Sequence, residues 1–285
     1  MSLDRRNAVL FLMMTSFLWS FGGLFIKIIP WSPFVIAGIR SWISAIVFFI
    51  YMRGHVKRLN KKLIIGALIY TATLVCYVTA TKLTTSANAI LLQYTAPIWA
   101  AVFGYLFFTE RITKLDIFSL TFVGVGIVLF FLSSIDGGMM LGNVIALLSG
   151  VAFAGIPMSL KRMPAGSDLS MVFYGNLLTG FFAVPGLMHT TVTLPSVGGI
   201  LFLGVFQLGI SYILYTKAVK HVSAIDAVLI PIIEPLFNPL WVFMATGEHP
   251  SILAVYGGVI VLATIVFRSL YLIRHSTVRT QRSVE

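Results

Sequence analysis

Charge is scarce in this sequence. Charged side chains make up 10% of it, against about 25% in a typical soluble domain, and only nine of its 285 residues are acidic. A chain so poor in charge cannot cover a large solvated surface, which excludes an ordinary soluble enzyme. Cysteine is nearly absent too. Cys76 stands alone, so neither a disulfide within the chain nor a Cys-rich metal site is available. Chemistry-bearing motifs are also missing: there is no GxxxxGK[ST] loop to cradle ATP phosphates, no HExxH for zinc and no GxSxG nucleophile turn. His55, His189, His221, His249 and His275 fall at the ends of apolar runs or between them. No cofactor and no metal are expected, and an intramembrane enzyme lacks a nucleophile with a neighbouring base.

Apolar length is what the sequence has in abundance. Hydrophobic residues form 58% of the chain and its mean hydropathy is +0.97, so the expected solvent is lipid. A hydrocarbon core about 30 Å thick takes roughly 17 to 25 apolar residues per helix. Ten runs meet that length: 8–28, 33–52, 63–81, 86–108, 116–133, 142–160, 170–188, 196–216, 224–246 and 251–273. The reading is an all-α membrane protein of ten transmembrane helices, with links too short for a soluble domain. Pro185, Pro195 and several glycines blur the ends of the seventh and eighth runs. Arg5 and Arg6 give the first run a basic flank, but no small-x-small cleavage site follows, so it reads as an uncleaved span rather than a signal peptide. Residues 276–285 are polar and basic and read as a disordered cytoplasmic tail.

The runs form two copies. Residues 80–113 lie without a gap on residues 218–251 at an offset of 138, with six identities in 34 positions. Among the identities are Lys82 on Lys220, Pro97 on Pro235 and Glu110 on Glu248, types that are scarce here and fall at the same place relative to an apolar run. The units are 1–135 and 136–275, each with five runs. Five is odd, so the second unit enters from the opposite side of the bilayer, and two inverted five-helix repeats are the architecture of a secondary transporter.

Basic residues set the orientation. With a cytoplasmic N-terminus, 17 of the 20 Lys and Arg residues fall on the inner side, among them Arg53, Lys57, Arg58, Lys61, Lys62, Lys114, Arg162 and Arg268. Lys27 and Lys82 lie near outer ends and read as end anchors. By the positive-inside rule both termini face the cytoplasm of a cell membrane. The net charge of +11 is thus spread through short inner loops, which suits anionic lipid headgroups and not nucleic acid.

In order and spacing, several motifs resemble the EamA-type transporters of the drug/metabolite transporter superfamily over essentially the whole chain. They are a Trp-containing first helix followed by Lys (Trp19 to Lys27), an apolar-x-Arg second helix (Ile36 to Arg40), and a fourth helix with Pro that closes on Glu (Tyr94 to Glu110, and again Glu234 to Glu248). The second copy departs at its start, where residues 143–162 lack the Trp and nothing matches Arg40. The resemblance implies ten helices, a small-molecule substrate and a site between the halves, and leaves the substrate open among amino acids, amines, sugars, vitamins and drugs.

Candidate site residues follow from polar groups inside apolar runs. Glu234 lies about ten residues into the ninth run, roughly 15 Å deep at 1.5 Å per residue. An ionisable group there must face a cavity, pair, or carry a proton. It is read as a proton site or a counter-ion for a substrate amine, with a purely structural buried acid as the alternative. Asn238, four residues on, shares its face. Pro231, Pro235 and Pro239 remove backbone donors, so the carbonyls of Ala227, Pro231 and Pro235 lose their helical partners, and Pro97 bends the fourth helix near Gln93 and Tyr94. Thr73 and Tyr77 match Ser211 and Tyr215 at the same offset; each pair forms an i, i+4 hydroxyl stripe, which Gln207 extends. These stripes line a cavity or serve as ordinary interhelical bonds. Arg40 fits a carboxylate or phosphate, a partner for Glu234, or a stem reaching the outer headgroups, with the structural role preferred at its modest depth. Trp19 and Trp99 lie mid-span, for core packing or for stacking on an aromatic or cationic substrate.

The functional expectation is an alternating-access permease or exporter of an amino acid or amine, with Glu234 as the candidate proton site. A drug or cation exporter of the same fold, an intramembrane enzyme and a membrane scaffold are the alternatives, and the scaffold gives no reason for an inverted repeat.

Overall fold

The computed structural model describes residues 5–108, 113–133, 138–164, 166–218, 221 and 230–282. Glu110, Lys220 and the Ala227 carbonyl singled out above lie outside them. The helices are α1 (Arg5–Ser20), α2 (Gly22–Ile28), α3 (Pro33–Tyr51), α4 (Lys61–Leu83), α5 (Ser86–Gln93), α6 (Ala96–Phe108), α7 (Lys114–Leu132), α8 (Met140–Lys161), α9 (Asp168–Gly180), α10 (Leu194–Phe202), α11 (Ser211–Ala218), α12 (Ile233–Thr246) and α13 (Ile252–Arg282). Among the described residues, eight helical stretches are long and apolar enough to cross a bilayer, and Ile252–Arg268 is a shorter apolar one. The ninth expected run, 224–246, is described from Ile230 onward.

Local chemistry sets the helix starts. Ser32, Asn60, Thr85 and Thr193 each accept a hydrogen bond from a backbone N–H in the first turn of the following helix, and Thr113 and Asp116 form a reciprocal capping box on α7, satisfying donors that have no partner within the helix. Pro33 and Pro195 sit in first turns, where a missing N–H costs nothing. The seventh and eighth runs are therefore helical despite their prolines: α9 continues as a 3₁₀ segment, Phe181–His189, which holds Pro185, and a π-helical stretch, Leu203–Ile210, joins α10 to α11. At the C-terminus, α13 continues to Arg282.

Burial is reversed relative to a soluble protein. Ile46 is 60% exposed and Met244 69%, while Arg40, Asn143 and Asn176 are fully buried, as expected where lipid surrounds the helices and polar groups satisfy one another inside.

The helix packing has the symmetry of the repeat. α4 packs on α8, and their counterparts α11 and α1 pack on each other; α4 packs on α9, and the matching π-helical stretch packs on α3. The pairs α3 with α9 and α7 with α13 map onto themselves under the same offset. The two halves thus exchange under a two-fold relationship, and the inner helices of both meet along one central seam.

Candidate functional site

The described part of the ninth span begins with irregular backbone where the chemistry lies. Pro231 sits in a 3₁₀ turn, Ile230–Ile232, and α12 begins immediately after it. Glu234 and Pro235 fall in the first turn of α12. Pro235 therefore removes a donor that would have had no helical partner anyway, with the 3₁₀ turn just before it; Pro239 lies deeper inside the helix. Across the seam, the fourth span breaks at Tyr94 and Thr95, between α5 and α6, just before Pro97. Gly150 of α8 packs against this break: a Cβ there would stand 2.9 Å from the Leu92 carbonyl oxygen.

The break in the fourth span meets the 3₁₀ turn of the ninth through one hydroxyl. Tyr94 Oη stands 2.6 Å from the Pro231 carbonyl oxygen and 2.8 Å from Glu234 Oε2. A phenol has a single hydrogen and donates to one of these acceptors. Both contacts are satisfied together when Glu234 carries a proton and donates it to Tyr94. Without that proton, carboxylate and carbonyl compete for the Tyr94 hydrogen. Glu234 is buried, and among the described residues no basic group pairs with it.

Glu234 lines a small polar cavity of about 30 Å³ with Trp19, Arg40, Thr73, Tyr77, Gln93 and Gln207. Trp19 and Phe153 also border a cavity of about 140 Å³, which Tyr94, Pro97, Pro157, Tyr215 and Pro231 help enclose. Arg40 is fully buried, and its Nη1 donates to Gln207 Oε1 at 3.2 Å. Its Nε and Nη2 have no hydrogen-bond partner. Sequence reasoning offered headgroup contact or pairing with Glu234. Complete burial excludes the first, and no ion pair joins Arg40 to Glu234 among the described residues.

The other candidates support the walls. Asn238 accepts from Ser86 Oγ at 2.5 Å and donates to Tyr77 Oη at 3.1 Å. Gln93 donates to Ser149 Oγ at 2.7 Å. The Thr73 hydroxyl bonds within its own helix, to the Ile69 carbonyl. Ser211 holds a wall instead of forming one: its Oγ accepts from Trp19 Nε1 at 2.8 Å and donates to the Gln207 carbonyl. Tyr215 packs tilted against the same Trp19, with ring centroids 5.4 Å apart. Trp99 borders neither cavity and donates to Thr95 in the break that precedes its helix.

One end of the seam is closed by a charge cluster that sequence reasoning missed. Lys27 Nζ is 2.6 Å from Glu248 Oε2 and donates to the Thr84 carbonyl at 2.8 Å. Glu248 Oε1 accepts from the Ser86 backbone N–H at 2.7 Å, and Lys82 donates to the Ile29 carbonyl at 2.6 Å. The two lysines are therefore not simple end anchors. The repeat match of Glu110 with Glu248 was the one available signal, and it did not point to Lys27. Ser149, Phe153 and Pro157 of α8 were missed as well. Pro157 occupies the position that the repeat offset sets against Trp19, which is a usable clue.

Comparison with known proteins bears on the same features. Residues 6–132 and 140–270 each match the EamA-like transporter family. The chain is 26% identical over 235 residues to the pseudopaline exporter CntI of Pseudomonas aeruginosa, covering 80% of this chain and 82% of that protein. It is 23% identical over 274 residues to an uncharacterized transporter of Archaeoglobus fulgidus, covering 90% and 95% respectively. A solved crystal structure aligns with a TM-score of 0.65 at 17% identity over 94% of this chain and 99% of that one, a likeness of fold alone.

Proposed function

The chain belongs to the EamA-like transporter family, a multi-pass integral membrane protein, and from that premise we propose that it is a secondary exporter of an amine-bearing metabolite, coupled to protons through Glu234. The observation that carries the proposal is the single Tyr94 hydroxyl shared between Glu234 and the Pro231 carbonyl. A buried carboxyl whose hydrogen-bond set is complete only when protonated, placed at the break of a central helix, ties proton occupancy to the conformation of that helix. A substrate amine arriving at Glu234 takes over the counter-ion role and releases the proton, which gives exchange.

Alternating access follows from the seam. In the proposed orientation the Lys27–Glu248 end is the outer one, with both termini in the cytoplasm of a cell membrane. The cavity of about 140 Å³ then lies toward the middle and the cytoplasmic half, since Tyr215, Pro157 and Ala100 are on the cytoplasmic side of Tyr94 in their spans. This is the form that loads an exporter, and the exporter name of the Pseudomonas relative supports the direction. The aromatic lining by Trp19, Tyr94 and Tyr215 favours a second reading, a drug or cation exporter.

Purified protein reconstituted in liposomes with a pH-sensitive dye, challenged with a solute panel, tests the proposal. Solute-dependent proton flux that disappears in Glu234→Gln is expected. Solute flux with an unchanged pH response in that variant would remove the coupling role of Glu234.

A further inference from the structure

We propose that the protein holds one anionic phospholipid of the inner leaflet at a defined site, with the phosphate between Lys62 and Arg162 and an acyl chain in the groove that leads away from them. The site lies outside both cavities of the seam and does not depend on the carrier reading. Its space is about 550 Å³, larger than either of those cavities, and its walls are Ile65 and Ile69 of α4, Phe103 of α6, and Val151, Gly155 and Met158 of α8. The polar side chains that border it are Lys62, Ser159 and Arg162.

These polar groups are gathered at one end. Lys62 stands in the first turn of α4, and Arg162 directly follows α8, which ends at Lys161. Farther along, a Cβ on Gly155 would stand 2.9 Å from Ile69 Cγ2, so the two helices run antiparallel with the cations side by side at the mouth. From Arg162 to Val151 the groove follows α8 for roughly 16 Å at 1.5 Å per residue. That is close to the ~15 Å of hydrocarbon in one leaflet of a core about 30 Å thick. Both cations are exposed, and in the proposed orientation they lie at the cytoplasmic face, where anionic headgroups are found.

Charge and shape together select the occupant. A free phosphate satisfies the cations and leaves the apolar groove without a role. A neutral lipid fills the groove and brings no net charge to the two cations. A polar solute gains nothing along walls of Ile, Phe, Val and Met. The general attraction of basic inner loops for anionic lipid needs no groove, whereas here a furrow one leaflet long ends at two particular cations. The bound chain also meets the transport machinery from behind. α6 and α8 border this groove through Phe103 and Gly155, and the 140 Å³ cavity through Ala100 and Pro157, so the chain supports the far side of the wall that encloses that cavity.

Lipid retention by the purified full-length protein tests this. Protein washed free of lipid in detergent is offered phosphatidylglycerol, phosphatidylcholine with the same chains, or inorganic phosphate, and read by native mass spectrometry and by Tm. One phosphatidylglycerol per protein is expected to stay bound at concentrations about tenfold or more below those that phosphatidylcholine needs, as two charge contacts imply. Lys62→Gln/Arg162→Gln is expected to abolish that preference. Lys57→Gln/Arg58→Gln, which removes the same charge outside the groove, is expected to keep it. Ala152→Phe, which fills the groove from α8, should weaken retention of both lipids. A phosphatidylglycerol carrying a diazirine midway along one chain should label peptides of α4, α6 and α8 in the wild-type protein, an outcome that needs no variant to fold. Equal binding of phosphatidylcholine, equal loss in the two double variants, stabilisation by phosphate alone, label spread evenly over the other helices, or no retained lipid each overturns the assignment. None of these outcomes bears on Glu234, whose coupling is read separately by proton flux.

Discussion

Lys27, at the end of the first span, and Glu248, just past the ninth, meet at 2.6 Å and join the two halves of the protein. The same carboxylate receives the Ser86 N–H at the start of the fourth span, so three spans converge on one side chain. An ion pair at this depth is partly exposed, with about a fifth of each side chain accessible, and pairs of that kind contribute on the order of 1 kcal/mol. That is small enough to break in every transport cycle and large enough to bias the resting state.

Weakening this closure is predicted to shift the protein toward the form open at the Lys27 end. Glu248→Gln keeps the Ser86 contact and removes the charge; a change of about 1 kcal/mol moves the conformational ratio roughly fivefold. A cysteine pair at positions 27 and 248 in a Cys76→Ser background, bridged by a bifunctional reagent, is expected to stop turnover while leaving substrate binding intact. Continued transport in the bridged protein would show that this end does not open.

Tyr94→Phe is predicted to separate coupling from translocation. The substitution leaves the ring packed and removes the hydroxyl, so the Pro231 carbonyl and Glu234 both lose a buried partner, at roughly 1–3 kcal/mol for a group left unsatisfied. Solute counterflow, which needs no net proton movement, should persist at a reduced rate, and solute-driven proton flux should fall by at least tenfold. Equal losses in both assays would make Tyr94 a structural residue only.

These two predictions rest on residues that were unequally legible in the sequence. Glu234, Asn238, Tyr77 and Arg40 stood out because polar groups in apolar runs are costly in lipid and so carry information. The runs themselves were readable for the same reason: lipid demands a minimum apolar length. Lys27 was read as an end anchor because a lysine at the edge of a run has that role by default, and only the meeting of distant spans reveals Glu248 beside it. Phe153 and Ser149 of α8 resemble any other residue of an apolar helix, and their place on the seam comes from packing alone. The π-helical stretch at Gln207 depends on tertiary contacts and leaves no pattern in composition. Prolines announced irregular backbone near 94–97 and 231–235, where the turn at Tyr94 and Thr95 and the 3₁₀ turn Ile230–Ile232 lie.

Gly23→Ala is predicted to open the closed end by steric means. A Cβ at Gly23 would overlap Ser86 Oγ and Asn238 Oδ1, the two atoms that join in the 2.5 Å hydrogen bond beneath the Lys27–Glu248 pair. Because both side chains also serve the seam, neither can move aside without losing a contact. Overpacking of this kind costs typically 1–3 kcal/mol, here charged to the closed form. The variant should lose thermal stability and gain reactivity toward a membrane-impermeant thiol reagent at Ser86→Cys in the Cys76→Ser background. Lower stability without greater reactivity would mean that the alanine disturbs packing generally.

The Asp116–Arg268 pair supplies the contrasting case. It joins α7 to α13, away from both cavities, with Arg268 Nη2 donating to Asp116 Oδ1 at 2.7 Å, and Asp116 also completes the capping box of its helix with Thr113. Its surroundings are the same in either state if the two helices, which map onto each other under the repeat offset, move as one body. Asp116→Asn removes the charge but leaves a side chain that can still accept from the Thr113 backbone N–H. The expected result is a stability loss of roughly 1–2 kcal/mol, read as a lower Tm in detergent, with the ratio of proton to solute flux unchanged. If that ratio moved in Asp116→Asn, the α7–α13 contact would itself be part of the transport motion, and the rocking unit would have to be redrawn to separate those two helices.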